Sequence, residues 1–184
     1  AVAIAYAREG ADVAIAFLES EKDDAAAIGK LIQEAGQKAV LVPCDISDEA
    51  QAEQLIQRVV HELGGLDILV NNAAYQRYYE SFDEITMDDW RKTFDTNVHA
   101  LFNLTRLSVP HLKDGGSVIN TASVNSTTPT PNILPYSATK GAVATLPTGT
   151  AALLAAKRIR PNAVLPGPIW TPFIPAGLAA DKVE

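Results

Sequence analysis

Tyr136 and Lys140, four residues apart in "YSATK", are a pair whose types and spacing favour chemistry. On a helix, residues i and i+4 lie on the same face, so both side chains can point into one cleft. A free tyrosine titrates at about pH 10, and a neighbouring ammonium favours its phenolate. Such a tyrosine can exchange a proton with an alcohol or carbonyl oxygen beside a redox cofactor. Taken alone, the pair is better explained as a surface Tyr stacked beside a Lys, so the surrounding sequence has to support the chemistry.

The elements that must position this pair alternate between strands and helices. We predict strands over 11–17, 38–45, 66–74 and 116–123, and a last strand within 158–170. We predict helices over 1–9, 20–36, 48–65, 86–112 and 136–157. This alternation predicts an α/β fold with a doubly wound parallel sheet covered on both faces. No linker or repeat interrupts it, so we expect one domain over residues 1–184.

Polar residues follow the predicted strands where those strands end. Asp45 follows the second, Asn71 and Asn72 end the third, Ser123 ends the fourth, and 162–171 surround the end of the last. Each is compatible with a simple turn role, which Asx and Ser residues favour. The carboxyl ends of parallel strands meet at one edge, where such sheets bind ligands. Together these residues predict a binding cleft at that edge.

Six motifs occur in a family-specific order: "CDIS" at 44, "NNAA" at 71, "TNV" at 96, Ser at 123, "YSATK" at 136 and "PGPIWT" at 166. Through them the chain resembles the short-chain dehydrogenase/reductase family over nearly all its length. The pieces "INTASVN" and "GPIWTPFIPA" are most similar to bacterial general-stress oxidoreductases and plant glucose/ribitol dehydrogenase homologues. The resemblance implies a Rossmann-like dinucleotide-binding domain.

The resemblance implies a proton relay of four residues. Tyr136 would be the catalytic acid/base, and Lys140 would lower its pKa and hold the nicotinamide ribose. Ser123 would hydrogen-bond the substrate oxygen, and Asn97 would position a water that links Lys140 to solvent. Ser123 and Tyr136 are both donors, as stabilisation of charge on a carbonyl oxygen requires.

The resemblance also implies a nicotinamide cofactor with contacts along the whole edge. Asp45 and Ile46 would border the adenine, Asn71 and Ala73 would line the ribose side, and Pro166, Gly167, Ile169 and Thr171 would enclose the carboxamide. An acid at the end of the second family strand would select NAD. The corresponding strand here ends in Phe17, which favours NADP, but only slightly, because no Arg is placed for a 2′-phosphate.

Four departures from the family pattern bear on activity. The printed sequence opens inside the first helix, so we expect it to lack the first strand with its Gly-rich turn, and also the C-terminal strand. Pro147 and Gly149 lie inside the predicted catalytic helix, where they cost about 3 and about 1 kcal/mol relative to Ala. Pro161 lies where a central strand would need its N–H. Ala74 replaces the usual Gly at the end of the "NNAA" motif.

The amino-acid composition limits which kinds of partner the protein is expected to bind. A net charge of −7 and a pI near 4.9 argue against nucleic-acid binding, which needs a basic surface. The single Cys44 and the lack of a membrane-length apolar run predict a cytoplasmic protein. His61, His99 and His111 lack metal-ligand spacing, so no metal is expected. The family resemblance implies that the protein forms a homo-oligomer, either a tetramer or a dimer.

Two classes of function remain open from the sequence. The first is an NAD(P)-dependent oxidoreductase for a small alcohol or carbonyl compound, such as a polyol, sugar, aldehyde or ketone. The second is a non-catalytic relative or fragment that serves as a binding or assembly module. A nucleotide-sugar epimerase or dehydratase shares the Tyr-Lys spacing, but "NNAA" and "PGPIWT" disfavour it.

Overall fold

The structure, a computed structural model, describes residues 1–169, 171 and 173. Its helices are α1 (Val2–Arg8), α2 (Lys22–Glu34), α3 (Glu49–Leu63), α4 (Met87–Phe94), α5 (Ala100–Ser108) and α6 (Leu134–Leu154). Its strands are β1 (Val13–Phe17), β2 (Ala39–Pro43), β3 (Leu66–Asn71), β4 (Leu112–Thr121) and β5 (Arg160–Val164). The predicted alternation of helices and strands is confirmed.

All described strand pairs are parallel, which confirms the predicted doubly wound α/β fold. β1 pairs with β2, and β4 lies between β3 and β5. Within the described residues no ladder joins β1 to β3, so the strands form two hydrogen-bonded groups.

Two apolar clusters hold the sheet and helices together. The larger joins β2 to one face of α3 and to Leu104 of α5, through Val40, Val42, Leu55, Ile56 and Val59. A smaller cluster of Leu101, Ala122 and Val143 fixes α5, the end of β4 and α6 to one another. Burial of such side chains contributes about 1.5–3 kcal/mol each. The smaller cluster therefore sets the position of α6 relative to the carboxyl end of β4.

The helix predicted over 86–112 is interrupted. Thr86 caps its start by accepting a hydrogen bond from the Asp89 amide. Between α4 and α5, residues Asp95–His99 form a π-helical turn. A π turn adds one residue to a helical turn and therefore changes the direction of the side chains within it, and such turns are frequent at functional sites. Asn97 lies in this turn and is 1% exposed.

Pro147 and Pro161, which depart from the family pattern, both lie within regular elements. α6 continues through Pro147 to Leu154, although a proline removes one helical N–H, and it begins at Leu134, two residues before the predicted start. Pro161 lies in β5, which is an edge strand within the described part of the chain. An edge strand tolerates proline because its outer N–H groups have no ladder partner.

Candidate active site

Tyr136 and Lys140 project from the first turns of α6 into the carboxyl edge of the sheet. The Lys140 Nζ atom lies 5.3 Å from the centroid of the Tyr136 ring. Both residues are buried, with 8% and 3% of their surfaces exposed. The ammonium donates a hydrogen bond of 2.5 Å to the carbonyl oxygen of Thr121, the last residue of β4. This bond joins α6 directly to the end of β4.

Burial moves the pKa values of both residues. The Tyr136 pKa lies above its usual 10, because burial disfavours the phenolate, and the Ser123 hydroxyl offsets part of that rise. Burial also lowers the Lys140 pKa from 10.5 to about 8. The causes of the raised Tyr136 pKa do not include Lys140, so the lowering of the Tyr136 pKa by Lys140 stays a prediction. The Lys140 ammonium is directed at the Thr121 carbonyl.

Ser123 lies two residues beyond β4 and faces the same edge. It is 5% exposed, and its Oγ accepts hydrogen bonds from the backbone N of Asn125 at 3.2 Å and from its Nδ2 at 3.3 Å. The amide of Val124 donates to the Pro166 carbonyl at 3.1 Å, which ties the chain after β5 to this turn. Sequence analysis missed Asn125, and its place in "SVN" carries no recognisable signal.

Asn97 joins the chain after β3 to α6. Its Oδ1 accepts from the Tyr75 amide at 2.6 Å, and its Nδ2 donates to the Tyr75 carbonyl at 2.9 Å and to Thr139 Oγ1 at 3.0 Å. Thr139 directly precedes Lys140. Both hydrogens of the Asn97 amide are therefore engaged, and the side chain joins the loop after β3 to α6. The water that Asn97 is expected to position stays a prediction.

The residues predicted to border an adenine lie at the open end of β2. Asp45 is exposed, and its Oδ1 accepts from the Ser47 amide at 2.9 Å and from the Ser47 hydroxyl at 2.6 Å. Ile46 is half-buried against the larger apolar cluster. Burial and the carboxylates of Asp45 and Asp48 raise the pKa of the Cys44 thiol to about 11. Cys44 is accordingly a buried core residue rather than a reactive thiol.

Asn71 points into the protein. Its Nδ2 donates to Thr105 Oγ1 at 3.1 Å and to Asn120 Oδ1 at 2.9 Å, and the residue is 6% exposed. The Asn71 Oδ1 atom is buried without a protein partner. The side chain is thus directed at β4 and α5, so only its backbone faces the predicted ribose side. Ala73 is exposed beyond the strand end.

The chain after β5 adds an apolar wall near the tyrosine. Pro166 is half-buried, whereas Gly167, Ile169 and Thr171 are exposed, with Ile169 at 58%. The ring of Phe173 lies 5.9 Å from the ring of Tyr136. Phe173 was not predicted, because a single apolar residue outside the predicted helices and strands has no periodic signal.

The segment after "NNAA" is a packed loop. The Tyr79 amide donates to the Asn132 carbonyl at 2.8 Å, and Asn132 Nδ2 donates to the Tyr79 carbonyl at 2.7 Å. Lys92 Nζ lies 4.3 Å above the Tyr75 ring. An open cleft of about 350 Å³ lies beside this loop and is lined by residues that include Phe82, Ile85, Pro131 and Leu134. Among the described residues, no helix could span a membrane and no group of side chains could hold a metal ion.

A parallel α/β sheet with Ser123, Tyr136 and Lys140 at its carboxyl edge defines a Rossmann-like nucleotide-binding domain. The model of a family described as Enoyl-(Acyl carrier protein) reductase matches residues 1–183. The chain belongs to the short-chain dehydrogenase/reductase family, as its motifs predicted.

Comparison with known proteins supports the predicted subgroup. General stress protein 39 of Bacillus subtilis is 43% identical, over 100% of this chain and 64% of its own length. Two Arabidopsis thaliana proteins match 100% of the chain. NADPH-dependent aldehyde reductase 1, chloroplastic, is 36% identical over 66% of its length, and Glucose and ribitol dehydrogenase homolog 2 is 35% identical over 65% of its length. The chain thus spans just under two thirds of these relatives.

A solved structure from the same family has a closely similar fold. A short-chain dehydrogenase from Burkholderia cenocepacia in complex with NADP superimposes with a TM-score of 0.88 and 34% identity. The match covers 94% of this chain and 71% of that one.

Proposed function

We propose that this protein is an NAD(P)-dependent oxidoreductase that interconverts a small alcohol and its carbonyl compound. The observation that carries the proposal is the convergence of Ser123, Tyr136 and Lys140 at the carboxyl end of β4. These three side chains come from two elements, and each is less than 10% exposed. Groups that are held in place and desolvated in this way stabilise developing charge without further reorganisation.

The protonation states favour reduction of a carbonyl at neutral pH. The Tyr136 pKa lies above 10, so its hydroxyl is protonated and can donate to a carbonyl oxygen. With a pKa of about 8, Lys140 is mostly cationic at pH 7 and stabilises the phenolate left after proton transfer. Ser123 donates a hydrogen bond to the same oxygen. The nicotinamide cofactor supplies the hydride when it is bound.

The residues fit such a cofactor. Lys140 keeps two further ammonium hydrogens beyond its bond to Thr121, and these suit the hydroxyls of a ribose. Half-buried Pro166, whose carbonyl accepts from the Val124 amide next to Ser123, and exposed Ile169 provide apolar surface for a flat ring. Asp45 leaves its Oδ2 oxygen free of the Ser47 bonds, as a contact to an adenine edge requires. A single dinucleotide-binding domain would account for these contacts.

NADP is the preferred cofactor in this proposal, with NAD as the alternative. β1 ends at Phe17 without an acid that would select NAD, as expected from the sequence. A relative is named as NADPH-dependent, and a solved neighbour carries NADP. The names of the relatives also favour aldehydes, sugars and polyols as the substrate class.

A substrate panel tests the proposal. The purified protein would be incubated with NADPH or NADH and a set of aldehydes, ketones and aldoses, and oxidation of the cofactor would be followed by absorbance. Turnover should appear with NADPH and fall about 10²- to 10⁴-fold in Tyr136→Phe. Tyr6→Phe, the same substitution at a position on α1, should leave turnover with NADPH unchanged. Absence of turnover with every compound would favour the non-catalytic module instead.

We also infer that the protein is a homo-oligomer, with a dimer or tetramer as the two candidates. Phe102 of α5 is 53% exposed and Leu153 of α6 is 79% exposed. Phe102 lines a small shared cavity with Leu146 and Thr150, so α5 and α6 present one outer face. Light scattering should give a multimeric mass that Phe102→Asp with Leu153→Asp reduces to that of the monomer. A cytoplasmic location stays a prediction.

A further inference from the structure

Asn125 is placed to fix the direction in which the Ser123 hydroxyl donates. Its Oδ1 lies 2.9 Å from the backbone N of Thr130. A backbone N–H can only donate, so the Asn125 atom facing Thr130 must be the oxygen. The Nδ2 group therefore faces Ser123 Oγ, at 3.3 Å. The Thr130 contact settles the orientation of the amide, which an isolated Asn leaves ambiguous.

Two N–H donors consequently converge on one hydroxyl oxygen. The backbone N of Asn125 lies 3.2 Å from Ser123 Oγ, and Nδ2 of the same residue approaches it as well. A serine hydroxyl has two acceptor lone pairs and one donor hydrogen. Both lone pairs are occupied, so the hydroxyl hydrogen has to point away from Asn125.

We propose that Asn125 is a positioning residue that holds Ser123 as an obligatory hydrogen-bond donor, to Tyr136 in the free protein and to the substrate oxygen once the substrate is bound. This inference rests on the oxidoreductase function proposed above. A freely rotating hydroxyl would spend part of its time as an acceptor, and an acceptor repels a carbonyl oxygen as that oxygen gains negative charge. By occupying both lone pairs, Asn125 removes that unproductive orientation.

The same contacts connect Ser123 to the helix that carries Tyr136. Thr130, which donates to Asn125, lies in the loop that leads into α6. Its carbonyl oxygen lies 3.5 Å from the hydroxyl of Ser137, the neighbour of Tyr136. Asn125 therefore holds both the direction of the Ser123 hydrogen and the approach of the loop to α6. Asn125→Asp should change only the direction of the Ser123 hydrogen, because its carboxylate still accepts from the Thr130 amide and keeps the loop in place.

A double-mutant cycle tests the proposal. In N125D the carboxylate accepts from Ser123 and draws the hydroxyl hydrogen away from the substrate, so kcat should fall about 10- to 100-fold, with a much smaller change in KM for NADPH. In a Ser123→Ala background the same substitution should change kcat less than about 3-fold, because no hydroxyl remains to be turned. Equal losses in both backgrounds would overturn the proposal, since they would mean that charge or packing is responsible. Gln33→Glu, at an exposed position of α2 away from the sheet edge, is the matched charge control.

A second readout does not need turnover. With 3-fluorotyrosine at position 136, ¹⁹F NMR follows ionisation of that phenol. N125D should raise the pKa of residue 136 more when Ser123 is present than when it is replaced by alanine, because only Ser123 can lose its hydrogen bond to the phenolate. Equal shifts in the two backgrounds would again overturn the inference. If the wild-type protein turns over no carbonyl compound, the proposed function fails, and this titration still decides the role of Asn125.

If N125D fails to fold, Asn125→Ala replaces it in the same cycle. Alanine removes the Nδ2 donor but keeps the backbone N–H, so the loss in kcat should be smaller and should again depend on Ser123. Circular dichroism identifies an unfolded variant before kinetics begin.

Discussion

The two ends of the sheet edge are built differently. The inner site, which comprises Asn97, Ser123, Tyr136 and Lys140, is buried, and most of its polar contacts join different elements. The outer site, which comprises Asp45, Ile46 and Ala73, is more open to solvent, and Asp45 Oδ1 bonds only within its own turn. Long-range contacts thus fix the geometry of the proposed proton-transfer site, whereas a local turn holds Asp45 at the proposed cofactor contact.

Asn97→Ala should give the largest loss of stability, because it breaks the inner site. It leaves the Tyr75 N–H and carbonyl without their partner in a buried position, so the free energy of unfolding should fall by about 3 kcal/mol. Urea unfolding measures this. Asn162→Ala on exposed β5 should stay within about 0.5 kcal/mol. Similar losses in both variants would contradict the contrast between buried and open polar groups.

Lys140→Met should change how stability depends on pH. The folded Lys140 pKa is about 8, against 10.5 for an unperturbed lysine. Between these values the unfolded chain binds more protons than the native one, so the stability of the wild type should rise with pH. The rise has an upper limit of about 3 kcal/mol.

Urea unfolding of both proteins at several pH values from 7 to about 10.5 provides the measurement, and only the difference between them is assigned to Lys140. The methionine side chain of the variant cannot titrate, so the wild type should gain stability relative to the variant as pH rises. If the free energies of unfolding of the two proteins changed in parallel with pH, burial would not lower the pKa of Lys140.

Substitutions at Asp45 should have the smallest effect. Asp45→Asn keeps an acceptor for the Ser47 amide, whereas Asp45→Ala removes the turn contact. The Ala variant should lose less than about 1 kcal/mol of stability, as exposed local hydrogen bonds do. If the free carboxylate oxygen contacts the cofactor, KM for NADPH should rise about 2- to 10-fold in both variants, with kcat unchanged. A large fall in kcat for either variant would erase the distinction between the two sites.

The sequence predicted the elements well because their signals are local. The strands β1 and β2 are runs of apolar residues, and α3 is bounded by the cap residue Asp48 and by Gly64, whose φ of 77° suits glycine. The motif order predicted which residues would gather at the sheet edge. The 3.6-residue spacing of α6 likewise placed Tyr136 and Lys140 on one face.

Features that depend on contacts across the chain were not predictable in this way. The π turn at Asn97 is accompanied by bonds to Tyr75 and Thr139, which are distant in sequence. The inward direction of Asn71 depends on Thr105 and Asn120. The raised pKa of Tyr136 reflects burial, which spacing alone cannot reveal.

The most direct test of the proposed chemistry is transfer of deuterium from NADPH that carries deuterium in both positions at C4 of the nicotinamide to the carbonyl carbon of a substrate. The wild-type protein should give an alcohol that carries deuterium on that carbon, as seen by NMR, and Tyr136→Phe should give almost none in the same time. Unlabelled alcohol, or labelled alcohol formed equally fast without the Tyr136 hydroxyl, would contradict the assignment of Tyr136 as the proton donor in hydride transfer.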